Sequence, residues 1–140
     1  MKTDQDLFTG VLQDALQRGD SVWLRVQGAS MRPWLCEGER IRIHPAKGRP
    51  IHRGDIVLFW RNPGHPILHR VLRVGRAAEG TIYECRGDAE RGRPERVPAA
   101  RVIGLAAMTG WGRMGYRLLQ PVRRALNQLV STRTWRPHHG

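Results

Sequence analysis

Two side chains have the type and setting that acyl-transfer chemistry requires, Ser30 and His69. Ser30 lies in Gly28-Ala29-Ser30-Met31-Arg32-Pro33, a corner of small residues. Such a corner at a strand end exposes a hydroxyl and turns backbone N–H groups, that of Ser30 among them, toward a developing oxyanion. His69 follows Leu68 in a run where Ile67, His69 and Val71 share one strand face. An imidazole titrates near neutral pH and is therefore poised to take a serine proton. Taken singly, each residue also has an ordinary structural use, the serine satisfying its own turn and the histidine packed in a core. Asp88, Glu90 and Glu95 are the downstream carboxylates able to hold an imidazole tautomer. Asp55 reads as a turn former at the head of a strand.

The other reactive groups form no constellation. His44, His52 and His65 lie beside prolines or in turns, His138 and His139 sit near an arginine-rich terminus, and their spacing matches no zinc site. Cys36 and Cys85 are the two cysteines and neither belongs to a CxxC pair, so neither a disulfide framework nor a zinc knuckle is indicated. Cys36 reads as a small buried hydrophobe rather than a thiol nucleophile. No cofactor and no metal is expected.

The elements that must position these residues are legible from periodicity. Leu7, Phe8, Val11, Leu12, Ala15 and Leu16 recur at helical spacing after Thr3 or Asp4, either a suitable N-cap, and predict an amphipathic helix over 4–18 that ends before Gly19. Residues 21–27 alternate, with Val22, Leu24 and Val26 on one face and Trp23, Arg25 and Gln27 on the other, as in a half-buried strand. Further strands are expected at 40–44, 55–61, 67–74, 81–85 and 101–108, separated by Gly, Pro and charged turns. Several short strands at modest spacing predict a mainly β domain, a curled antiparallel sheet or partial barrel. Helical spacing returns with Met114, Leu118, Leu119, Val122, Leu126 and Leu129, interrupted by Pro121, in a basic amphipathic helix. The expected organisation is a domain over 1–110 and a basic C-terminal segment over 111–140.

The chain has 140 residues, enough for one domain, and a formal charge of +12 from 24 Lys+Arg against 12 Asp+Glu. No acidic residue follows Glu95, whereas eight arginines do. This excess attracts polyanions, and Trp111, Tyr116 and Trp135 beside the basic helix suit peripheral adsorption to an anionic membrane surface. A helix packed on the β domain, with its arginines solvated, accounts equally for the pattern. Nucleic acid is disfavoured, since no helix-turn-helix, zinc-finger or RNA-recognition signature accompanies the arginines. No segment resembles a signal peptide, and none reaches the roughly 20 apolar residues that span a bilayer. The expected location is cytoplasmic.

Residues 28–35, reading GASMRPWL, resemble the Ser-x-Met-x-Pro nucleophile box of type I signal peptidases. Residues 53–59 (RGDIVLF) resemble that family's Arg-Gly-Asp strand, and 67–71 (ILHRV) its base-bearing strand. Residues 86–88 (RGD) resemble its Gly-Asp box, and 101–104 (RVIG) its closing strand. Five boxes in family order cover residues 27–105. The resemblance implies a fold of the signal peptidase/LexA-like kind and a serine endopeptidase acting on an extended peptide or preprotein, with Ser30 as nucleophile, His69 as general base and Asp88 orienting it. The base is Lys in typical bacterial members and His in the archaeal and endoplasmic-reticulum type, so His69 places the chain nearer the second. Many members carry a hydroxyl residue where this chain has Gly28, and the His type carries a second acidic residue beyond the Gly-Asp pair, where 89–95 reads AERGRPE.

Those two departures favour an alternative, a catalytically impaired domain that binds peptides or an anionic membrane surface. A second alternative is the related LexA-type self-cleaving peptidase. It ranks lower because its members typically use Lys, and because neither a DNA-binding domain nor an Ala-Gly cleavage site in a long N-terminal arm is evident.

Overall fold

A computed structural model describes residues 4–107. The expected basic helix and the rest of segment 111–140 lie outside the described residues. Helix α1 (Asp4–Gln17) stops one residue short of expectation. Of its apolar positions Leu12, Ala15 and Leu16 are buried, while Leu7, Phe8 and Val11 are more than half exposed. The helix meets the sheet along a single stripe, against β1 (Val22–Arg25), β2 (Arg40–Pro45) and β7 (Val102–Ala106). Apolar residues off that stripe face outward.

The remaining strands are β3 (Ile56–Asn62), β4 (His65–Ala77), β5 (Gly80–Arg86) and β6 (Glu95–Pro98). All seven join one antiparallel sheet in the order β1-β2-β7-β3-β4-β5-β6. The sheet is open, with β1 and β6 at its edges, so the expected curl does not close into a barrel. The run 56–59 is buried at every residue because β3 lies in the interior of the sheet and is covered on both faces. On one face Val57, Phe59, Val71, Tyr83, Cys85, Val97 and Val102 form a continuous core.

Two elements depart from the sequence reading. Strand β4 is longer than 67–74 because turns at either end carry it into hairpins with β3 and β5. Strand β6 was not expected, since Pro94 and Pro98 bracket its short run. Proline lacks an N–H and is tolerated on an edge strand, where β6 lies with Val97 paired to Tyr83.

Candidate active site

The Ser30 corner begins where the chain leaves the sheet. Val26, buried, still exchanges backbone bonds with Glu39 and Gly38, both at 2.8 Å. The chain then reverses at Gly28, whose φ of 75° lies in the left-handed region that favours glycine. Met31, 1% exposed, plugs the next position into the core, and the Leu35 N–H donates to the Met31 carbonyl at 3.0 Å. Ser30 is thus held between a sheet exit and a buried anchor, with its side chain partly accessible.

From the opposite side the turn after β5 closes on this corner. The Ala89 N–H donates to the Ser30 carbonyl at 2.8 Å. Gly87 packs so closely that an added Cβ would lie 2.6 Å from the Ser30 carbonyl oxygen and 3.0 Å from Ser30 Cβ. Only glycine allows that approach. The same turn folds Glu90 back: its N–H donates to the Gly87 carbonyl at 3.0 Å, and its Oε2 accepts the Gly87 N–H at 3.3 Å. Its other oxygen, Oε1, lies 3.6 Å from His69 Nε2.

His69 reaches this place by strand register. It pairs with Val57 on β3, and one step beyond the Arg70–Arg86 pair β4 continues to His69 while the chain leaves β5 at Gly87. The imidazole is 3% exposed and meets the Phe59 ring edge-on at 5.9 Å between centroids. Its Nδ1 is buried with no hydrogen-bond partner among the described residues. Burial holds the imidazole below its ordinary value of 6.5; the Glu90 carboxylate pulls upward, Arg61 adds to the lowering, and Glu95 and Asp88 oppose it. The balance is a neutral base at pH 7. No hydrogen bond joins Ser30 to His69 among the described residues; Glu90 faces the ring, and its carboxyl carbon lies 3.1 Å from the point above Gly87 that is 3.0 Å from Ser30 Cβ.

Asp88, the carboxylate expected to orient the imidazole, pairs with Arg70, while its charge also raises the imidazole's proton affinity. Its oxygens accept from Arg70 Nε at 3.1 Å and Nη2 at 2.7 Å, while Arg70 Nη1 donates to the Gly54 carbonyl at 2.9 Å. Arg70 is wholly buried, and its guanidinium lies 5.9 Å from the centroid of the Trp34 ring. Neighbours on a strand point to opposite faces, so Arg70 and His69 draw on different carboxylates, and a buried guanidinium requires one. Two sequence signals foretell this arrangement: an arginine inside an apolar strand run, and a Glu three residues after Gly87, the spacing at which a side chain reaches back to a turn N–H.

Asp55 is a turn residue as expected, its Oδ2 accepting the His52 N–H at 2.8 Å. The Gly54 N–H and Asp55 carbonyl bracket Val71 with two further 2.8 Å bonds, tying this turn to β4. Cys36 is only partly buried, its Sγ 3.9 Å from the Pro33 carbonyl. Burial pushes the Cys85 thiol up to about 12. Among the described residues no group of His, Cys, Asp and Glu is placed to hold a metal ion. No helix among them is long and apolar enough to cross a membrane.

An open, mainly antiparallel sheet, with a serine corner after β1 and a buried histidine on β4, fits a peptidase-type domain of the signal peptidase/LexA-like superfamily, and the family match supports that class. The family model described as Peptidase S24-like matches residues 4–83, a span that includes both Ser30 and His69, and the chain belongs to that family. No curated protein matches the chain.

Proposed function

We propose that the chain is a serine endopeptidase with a Ser30–His69 dyad, closest in chemistry to the His-type signal peptidases. The observation that supports it most is the clamp of the 87–90 turn on Ser30, which sets the serine corner beside the carboxylate facing buried His69. Neutral His69 takes the Ser30 hydroxyl proton as Oγ attacks a peptide carbonyl carbon, and the Ser30 N–H donates to the oxyanion. The imidazolium then protonates the leaving amine as the C–N bond breaks, and water hydrolyses the acyl-serine with His69 again the base. Glu90 stabilises the imidazolium while it exists. Its side chain is 44% exposed, so it can move aside as the Ser30 hydroxyl swings to the ring. Asp88 acts at one remove, by fixing Arg70 beneath the turn.

Intact-mass spectrometry after treatment with a fluorophosphonate probe tests this reading, with adduct mapping and cleavage of a peptide library in parallel. Wild type is expected to be labelled at Ser30 and to cleave, and Ser30→Ala and His69→Ala to do neither. Identical behaviour of all three proteins overturns it. The family match favours a second reading, the same chemistry turned on the protein's own chain. That reading expects concentration-independent fragmentation of wild type on storage, absent from Ser30→Ala.

A further inference from the structure

We infer that the solvent face of the β1–β2 ribbon is a docking surface for an extended acidic polypeptide segment. Register places Trp23 opposite Arg42 and Arg25 opposite Arg40, so these four side chains share one face, and all are exposed. Arg40 stacks on Trp23, its guanidinium carbon 5.1 Å from the ring centroid, and Arg25 Nη1 donates to the Gly38 carbonyl at 3.1 Å. Both contacts hold the guanidinium groups in place while leaving donors for a ligand. Elsewhere Arg18, Arg61, Arg70, Arg73 and Arg101 each have a carboxylate within ion-pair distance. Among the described residues no carboxylate pairs with Arg25, Arg40 or Arg42, although Glu37 and Glu39 lie in the connecting loop. The ribbon continues to His44, whose Nδ1 meets the Ser21 hydroxyl at 2.6 Å. Burial holds that imidazole below its ordinary value, and Arg49 and Arg42 add to the lowering, a sign of the positive potential here.

The backbone selects the occupant. Among the described residues β1 pairs with β2 alone, so its outer edge can accept another strand. A strand added there presents alternate side chains to the arginine-bearing face about 6.8 Å apart, the period of Trp23 and Arg25 themselves. Acidic residues at every second position complement that row. One aromatic ring, already covered on one side by Arg40, offers no series of stacking platforms for bases. The surface is defined by binding alone, so it is tested without the catalytic step.

Fluorescence anisotropy with the full-length Ser30→Ala protein makes the test, using a labelled (Glu-Thr)5 peptide, its (Gln-Thr)5 analogue, a twelve-residue oligothymidine and phosphatidylglycerol vesicles. The acidic peptide is expected to bind, and Arg25→Gln with Arg42→Gln to weaken it about tenfold. Arg73→Gln with Arg76→Gln, the same charge change on β4, is expected to alter binding by no more than about twofold. Matching circular dichroism of the two double variants excludes misfolding, and Arg25→Lys with Arg42→Lys provides a charge-conserving control expected to retain most of the binding. Equal losses in the two double variants overturn the inference, as does equal binding of the glutamine peptide. It is also overturned if oligothymidine or vesicles, and not the acidic peptide, are what the β1–β2 variant loses.

Discussion

The Glu90 carboxylate stands 3.6 Å from His69 Nε2, while its second oxygen caps the Gly87 N–H of the turn that bonds to Ser30. One exposed side chain thereby links the candidate base to the backbone that holds the candidate nucleophile. Replacing Glu90 by Gln removes a charge that raises the imidazole's proton affinity. The acid limb of kcat/KM is therefore expected to move to lower pH, with kcat falling about tenfold through loss of imidazolium stabilisation. A pH–rate profile checks both, and an unmoved acid limb would show that Glu90 has no electrostatic hold on the ring.

Asp88 is expected to behave differently. Asn at this position leaves the wholly buried Arg70 with a neutral partner. Stability should fall by about 3–5 kcal/mol, as when a buried ion pair loses one member. The acid limb of kcat/KM should move to lower pH by less than in Glu90→Gln, because the bonds of Asp88 go to Arg70 and its charge is the smallest of the three carboxylate contributions at the imidazole. Urea unfolding and the pH–rate profile of the folded variant separate the two effects. An acid limb displaced as far as in Glu90→Gln, with unchanged stability, would show that Asp88 serves the imidazole rather than Arg70.

Gly87→Ala tests the clamp on Ser30. The new methyl would sit 2.6 Å from a carbonyl oxygen and 3.0 Å from Ser30 Cβ, so the turn and the serine corner must separate. A loss of about 1–3 kcal/mol in denaturant unfolding is expected, together with reduced labelling of Ser30 by a fluorophosphonate. Wild-type stability and labelling would mean that the 87–90 turn is not what positions the serine.

Acidification should destabilise the fold through His69. Its folded-state value lies below the ordinary 6.5, so between those two values the unfolded chain binds more protons. The stability contribution is fully present above 6.5 and is lost as pH falls toward the folded value. His44 is lowered too and adds a slope of the same sign. Urea midpoints from pH 7.5 to pH 5 should fall for wild type, and less steeply for His69→Asn. Parallel slopes would mean that burial of His69 leaves its titration unchanged.

Most of the architecture was legible without coordinates because its strands alternate in the usual way. Val22 and Leu24 turn inward while Trp23 and Arg25 stay exposed, as period two requires. The central strand was also readable, since a short apolar run flanked by turn residues suits a position covered on both faces. Strand β6 escaped because it follows Pro94 and itself ends in Pro98, and only pairing with β5 makes it a strand.

Residue types and their spacing along the chain thus determined the helix and six of the seven strands, because these rest on local periodicity and turn chemistry, whereas Ser30 and His69 stood out through the resemblance of the boxes that carry them. The tertiary structure alone decided which carboxylate faces Arg70 and which faces His69. Asp88 and Glu90 are two residues apart in one turn, and their partners are adjacent on β4. Strand pleating sends those partners to opposite faces, and which acid meets which depends on the register of β4 against β5 and the fold of the turn beyond it, long-range pairings that no local pattern encodes.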